Sequence, residues 1–382
     1  MKSRFSSPAD PHQHWIWAFG LISTLAGYRF GISDQIEQLP IVLRFMDEGF
    51  LANDFFVNAS EAFGPRYYYA QFLAFFGKLI GLELALFFFT LIAHVGLAWV
   101  SYQAGKSLIP KQEYSGLLAS ALVMCMPNFE LGSDLTLYSS YLTPGLLITP
   151  LILAAVWKGW EGKYMQVAVF AGLASIFHVL YGLETGFIVL GCGFVVAIWE
   201  KDTKTLGIIF LAGITLSLFS LPTLLPYLQI EKSLDDRTFI DIIAYFRHPH
   251  HYLPSYFLDD YKTSSTGYWE YFGMIFFVYI LFTRRKFFGA RESKETWFWT
   301  FSALILFALF AGWFFVEYYP SRLFTTAQLW RVLNLFKWLL LVLLGGYWSM
   351  YIQKQFAIWI FGLFLAFPDH LGPLIGILLP YV

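Results

Sequence analysis

Two acids stand three residues apart in Gly31-Ile-Ser-Asp34-Gln-Ile-Glu37-Gln38-Leu-Pro40, directly after the first long apolar run. On a helix such residues share a face, so Asp34 and Glu37, with Gln38 beside them, could present a general base to a bound hydroxyl. The same spacing also fits a capping box, with Asp34 as the cap and Glu37 reaching back. A second acid, Asp54, lies in Leu51-Ala-Asn53-Asp54-Phe55-Phe56, where Asn-Asp before aromatics reads equally as a turn or a cap and ranks below Asp34.

Cations form the second group. The run Arg247-His248-Pro249-His250-His251-Tyr252-Leu253-Pro254 places a guanidinium and three imidazoles around two prolines, which points to a stiff extended or turning segment. Arg247, His248, His250 and His251 together suit a phosphate or pyrophosphate. A His-x-His-His set could also ligate a divalent metal, but it lacks a defined ligand signature, so no metal site is assigned and the cofactor is unknown. It could equally be an exposed His-rich loop. His178, in Ser175-Ile-Phe-His178-Val-Leu-Tyr181-Gly182-Leu-Glu184, and Arg331, in Gln328-Leu-Trp330-Arg331, fall near the ends of apolar runs. Ionisable groups at membrane depth are costly and tend to face an interior cavity, which raises the interest of His178 and Glu184. Arg331 either snorkels to the interface or holds a lipid-linked phosphate; Lys337, six residues on, could do either or line a cavity. The segment from Asn128 to Tyr141, with Glu130 and Asp134, mixes acids, hydroxyls and tyrosines as a sugar-binding surface does, and as any polar turn does.

The elements that must position these groups are membrane helices. Of 382 residues, 58% are hydrophobic and 13% are charged, about half the usual charged share of a soluble domain. The formal net charge of −1 and the lack of a basic tract leave no footprint for nucleic acid. Cys125 and Cys192 lie in apolar runs and read as small buried residues. With about 20 apolar residues needed per crossing, candidates are Trp15 to Gly31, Tyr67 to Ile80, Glu83 to Tyr102, Tyr114 to Met126, Leu142 to Trp157, Met165 to Tyr181, Leu183 to Trp199, Leu206 to Leu228, Tyr268 to Thr283, Thr296 to Val316, Val332 to Met350 and Phe356 to Leu379. The first run lacks a small-residue cleavage site, which disfavours a signal peptide.

Lys and Arg in short loops mark the cytoplasmic side: Lys106 and Lys111, Lys158 and Lys163, Lys201 and Lys204, the block from Arg284 to Lys294, and Lys354. An N-terminus on the same side is compatible with these loops only if Tyr67 to Ile80 does not cross. That run is short and opens on Tyr67-Tyr-Tyr, which fits a helix lying in the outer interface. The expectation is a single all-α polytopic membrane domain over 1–382 with about eleven crossings, an inside N-terminus, an outside C-terminus, and external segments at 33–82 and 229–267. No internal repeat is visible to suggest an inverted-repeat transporter.

This arrangement resembles the GT-C superfamily of membrane glycosyltransferases, in a bacterial branch of related polytopic proteins. The resemblance rests on the acid-bearing loop Gly31-Ile-Ser-Asp34-Gln-Ile-Glu37-Gln38, the interfacial run from Arg66 to Gly77, the later external loop with Arg247-His-Pro-His-His251, and Arg331 at the outer start of a run. It covers the topology of most of the chain, with sequence detail in the N-terminal third. It implies a sugar donor on a polyprenyl phosphate, an active face outside a bacterial inner membrane, Asp34 as base, and phosphate held by Arg331 and the histidine loop. The chain departs from the family in having no Asp-x-Asp or Asp-Glu pair in the first loop and no large soluble region after the last run. A flippase or transporter of lipid-linked saccharides, a polysaccharide polymerase or ligase, and a non-enzymatic membrane subunit remain as other expectations.

Overall fold

The computed structural model describes residues 12–110, 112–125, 137, 139–229, 234–247, 249–253 and 292–351. Among them every regular element is helical. The first is α1 (Gln13–Gly27), followed by α2 (Gln35–Met46), α3 (Phe55–Ser60) and α4 (Tyr67–Ile80). Next come α5 (Leu82–Leu108), α6 (Ser115–Cys125), α7 (Pro144–Trp160), α8 (Tyr164–Phe177), α9 (Val179–Trp199) and α10 (Thr203–Gln229). α11 (Asp236–Ile240) runs through a π-helical turn, Asp241–Arg247, towards α12 (Pro249–Tyr252). α13 (Glu292–Trp313) ends in a second π turn, Phe314–Tyr318, and α14 (Arg322–Ala327) leads through a 3-10 turn, Leu329–Val332, into α15 (Leu333–Tyr351).

Each expected crossing whose residues are described is a helix, but the helices fall into two length classes. Leu82–Leu108, Val179–Trp199, Thr203–Pro226, Ser293–Tyr318 and Leu329–Met350 are long and apolar enough to cross a membrane, while Ser115–Cys125, Pro144–Trp160 and Tyr164–Phe177 are shorter apolar helices. The expected runs Tyr268 to Thr283 and Phe356 to Leu379 lie outside the described residues. Local chemistry sets the length of α7. α7 starts where the Thr143 hydroxyl accepts from the Leu146 N–H at 3.0 Å with Pro144 in the first turn, and stops before Gly162, whose φ is +75°.

α1 and α5 are antiparallel. Tyr28 meets Phe87 and Glu83, Thr24 meets His94, and His12 reaches Glu113 beyond the other end. The chain therefore leaves α1 and enters α5 at the same end of the bundle, and α2 to α4 all belong to that end. α4 has 14 residues, about 21 Å, the same length as α8 and shorter than an apolar thickness of about 30 Å. It lies over the ends of its neighbours: the Tyr69 hydroxyl donates to the Leu142 carbonyl at 3.1 Å, and Phe72 packs on Phe89 and Phe177. Gly81, at φ +86°, lets α4 turn straight into α5.

A recess accommodates that helix. α5 and α7 run side by side, with Gly96 against Pro150 and Ser107 bonded to Glu161. From the Gly96–Pro150 contact α7 continues about 9 Å to its start, whereas α5 continues about 21 Å. The difference is filled by α2 and α4 around Val42, Tyr69, Leu73, Leu86, Phe89 and Leu142.

α8 and α9 form a hairpin with His178 at its apex. At Gly182 a Cβ would lie 2.5 Å from the Ser175 nitrogen and 2.6 Å from the Ala171 oxygen, so only hydrogen fits where the two backbones touch. Further along, Gly186 lies against Ala171 and Gly193 against Tyr164, which keeps the pair antiparallel throughout. α15 is the centre of the bundle: every residue from Leu335 to Leu343 is buried. α10 instead exposes Phe210, Leu211, Leu218 and Leu228 along one side, as a lipid-facing helix does.

Candidate functional site

The end capped by α2 and α4 carries the expected chemistry. Asp34 opens α2, but with φ −54° and ψ −25° its backbone is already helical and its side chain makes no capping hydrogen bond. The capping-box expectation fails because a capping residue needs extended backbone, and here the preceding Ser33 takes up the turn in a left-handed conformation at φ +50°. Asp54 shows the alternative. It is extended and accepts from the Val57 N–H at 2.8 Å, so it is a helix cap. Asp34 is left exposed beside Tyr141, whose hydroxyl donates to Ser33 Oγ at 2.9 Å. Burial pushes the Tyr69 phenol up, Arg66 opposes that rise, and Asp34 and Tyr28 add to it, which places these four side chains in one neighbourhood.

Glu37 is the anchor for two cations. Its Oε2 lies 3.2 Å from Arg66 and 3.6 Å from Arg247, tying α2 to the start of α4 and to the first π turn. Both pairs are exposed and each contributes at most about 1 kcal/mol. The 247–254 run is helical where it is described, not extended: Pro249 occupies the first position of α12, where its fixed φ suits a helix and its missing N–H costs nothing. His248 and the side chains of His250 and His251 lie outside the described residues, as do Glu130, Asp134, Asp369 and His370.

Arg331 and His178 meet 153 residues apart in sequence. A guanidinium N–H of Arg331 donates to His178 Nε2 at 2.8 Å, so the imidazole is an acceptor and is neutral in this arrangement. With Nε2 accepting, Nδ1 carries the ring proton, so the Tyr181 N–H 3.5 Å from it is a contact and not a hydrogen bond. Arg331 is partly buried, and His178 is the one hydrogen-bond partner of its guanidinium among the described residues. Lys337, by contrast, is wholly buried within the core.

The turn that presents Arg331 is strained. Gln328 is left-handed at φ +55° and ψ +47°, a conformation that costs a non-glycine residue about 1 kcal/mol or more. Its side-chain nitrogen bonds the Tyr252 hydroxyl, and its carbonyl accepts from the Arg331 N–H at 3.1 Å. Nearby on α9, both carboxylate oxygens of Glu184 are buried without a hydrogen-bond partner among the described residues, as is the Gln328 Oε1. Each such acceptor costs about 1–3 kcal/mol, more if charged. Glu184 is in electrostatic contact with Arg331.

Asp34, Glu37, Arg247, His178 and Arg331 thus gather at one end, where Arg66 also pairs with Glu37. Residue types did not single out Arg66; a cation immediately before an interfacial aromatic run was the available signal. No group of three or more His, Cys, Asp or Glu side chains able to hold a metal occurs among the described residues. No family model, curated protein or solved structure matches the chain.

Proposed function

We propose that this protein is a membrane glycosyltransferase of GT-C type, moving a sugar from a polyprenyl-phosphate carrier to an acceptor hydroxyl at the outer face of a bacterial inner membrane. On this reading the chain crosses about eleven times with its N-terminus inside, and α2 to α4 form the outer cap. The observation that carries the reading is Arg331: a partly buried guanidinium held by one neutral imidazole, with its other donors available to an anion. The antiparallel pairing of α1 and α5, which returns 28–82 to one end, supports the outward placement of the site.

In the reaction the acceptor oxygen bonds to the anomeric carbon as the bond from that carbon to the phosphate oxygen breaks. Asp34 takes the acceptor's proton. The phosphate departs with the electron pair, stabilised by Arg331 and, on the other side, by Arg66 and Arg247, which Glu37 holds in place. The fully packed interior from Leu335 to Leu343 supports a site worked from one side over a flippase path through the bundle.

The test is transfer by purified protein in lipid nanodiscs, supplied with a panel of polyprenyl-phosphate and polyprenyl-pyrophosphate sugars and read by mass spectrometry of the products. Asp34→Asn should lower transfer by about 10²–10⁴-fold, the usual worth of a general base. Full transfer by that variant would remove Asp34 from the mechanism.

A further inference from the structure

We infer that Glu184 and Gln328 form a subsite for the hydroxyl groups of the sugar ring, beside the phosphate seat at Arg331. The inference rests on the transferase reading for its place in a reaction, but not for its chemistry. Three acceptor oxygens, both of Glu184 and Oε1 of Gln328, are buried with no hydrogen-bond partner among the described residues. They belong to the surroundings of Arg331: Glu184 interacts with it electrostatically from the helix that packs against the Leu329–Val332 turn, and Gln328 sits in the turn that presents it. An unsatisfied buried acceptor in a native fold calls for an explanation, and a ligand that supplies the donor is one. A ligand that satisfies three of them must bring several donors, and it must fit next to a cation that prefers an anion.

A polyol attached to a phosphate meets both demands. Sugar hydroxyls donate to carboxylate and amide oxygens, while the phosphate takes the guanidinium. The backbone points the same way. Gln328 is held in a left-handed turn with its amide nitrogen committed to Tyr252, which aims its free oxygen away from that bond. Glu184 lies on α9 two turns from the apex at His178, on the helix that the Leu329–Val332 turn packs against. This subsite accounts for specificity towards the transferred sugar; proton abstraction stays with Asp34.

The experiment uses the full chain in nanodiscs and two kinds of probe. Methyl glycosides of glucose, galactose, mannose and arabinose are observed by saturation-transfer NMR, each beside its fully O-methylated analogue, which keeps the ring but lacks every donor. Polyprenyl monophosphate without a sugar is titrated separately. At least one free glycoside should bind, with its O-methylated analogue weaker by tenfold or more. Glu184→Gln and, independently, Gln328→Met should each weaken that glycoside by at least tenfold while polyprenyl monophosphate stays within about twofold. Arg331→Met should do the reverse. Thermal unfolding accompanies each variant, so if one fails to fold the other still decides.

Binding of the O-methylated analogue as tight as that of the free glycoside would overturn the subsite. So would no glycoside binding, or a Glu184→Gln protein that gains thermal stability with glycoside binding unchanged, since that would make Glu184 a buried charge with no ligand. Loss of polyprenyl monophosphate binding in the wild type, with the glycoside results intact, would instead overturn the lipid-donor reading and leave the hydroxyl subsite standing.

Discussion

The two ends of the helix bundle treat their charged groups in opposite ways. At the Lys-rich end Glu161 is saturated: its oxygens accept from Ser107 at 2.8 Å, Lys158 at 3.1 Å and Lys163 at 2.7 Å. Burial alone would push its carboxyl up, but the bonds from Lys163, Ser107 and Lys158 together bring it down to about 2. Asp202 at the same end caps α10 through Thr205, whose hydrogen bonds lower its pKa. At the α2–α4 end Asp34 caps nothing, Glu184 has no hydrogen-bond partner among the described residues, and Arg331 bonds a neutral imidazole. Satisfied charges fasten loops, whereas a buried carboxylate without a hydrogen-bond partner, as at Glu184, lowers stability.

The contrast breaks most sharply at Arg331. Arg331→Met should reduce transfer from a polyprenyl-phosphate sugar by about 10²–10³-fold, the worth of one group stabilising developing charge, with the unfolding temperature nearly unchanged. A large fall in that temperature alongside the loss of activity would make Arg331 a structural group like those at the Lys-rich end. Gly182→Ala tests whether the hairpin apex is held by backbone contact. The added methyl meets Ser175 and Ala171 backbone and should destabilise by about 1–3 kcal/mol, while Gly207→Ala, with open space around it, should be neutral or slightly stabilising in denaturant unfolding.

Smaller effects separate anchoring from chemistry. Glu37→Gln frees Arg66 and Arg247 and should tighten polyprenyl monophosphate binding by up to about fivefold, an advantage that fades with added salt. A collapse of transfer as deep as that of Asp34→Asn would instead make Glu37 part of the catalytic pair. The smallest change belongs to Glu161. Because its folded pKa is depressed, its contribution is complete above the ordinary carboxylate range and is lost as pH falls through that range towards about 2. Glu161→Gln should flatten the acid-side loss of stability over that window, measured by thermal unfolding at stepped pH.

Much of this organisation is legible in the residues. Apolar runs marked the helices because no other backbone structure of that length and composition is stable in lipid, and the run from Tyr67 to Ile80, expected as a helix, is one of 14 residues. Asp34 and Asp54 read alike as potential caps; only the backbone angles separate them. Arg66 stands out only through its ion pair with Glu37, 29 residues away in sequence, which no spacing encodes.

Composition by itself determined an all-helical chain of apolar, membrane-type helices, because burial in lipid constrains every residue one at a time. The tertiary structure alone decided which of its charged and polar groups meet. The short α7 and α8 leave a recess, α4 closes it, and the α8–α9 apex brings His178 to Arg331 across 153 residues of sequence. Those are consequences of helix lengths and packing angles, which depend on pairs of distant surfaces fitting together and so are written in no single segment of the chain.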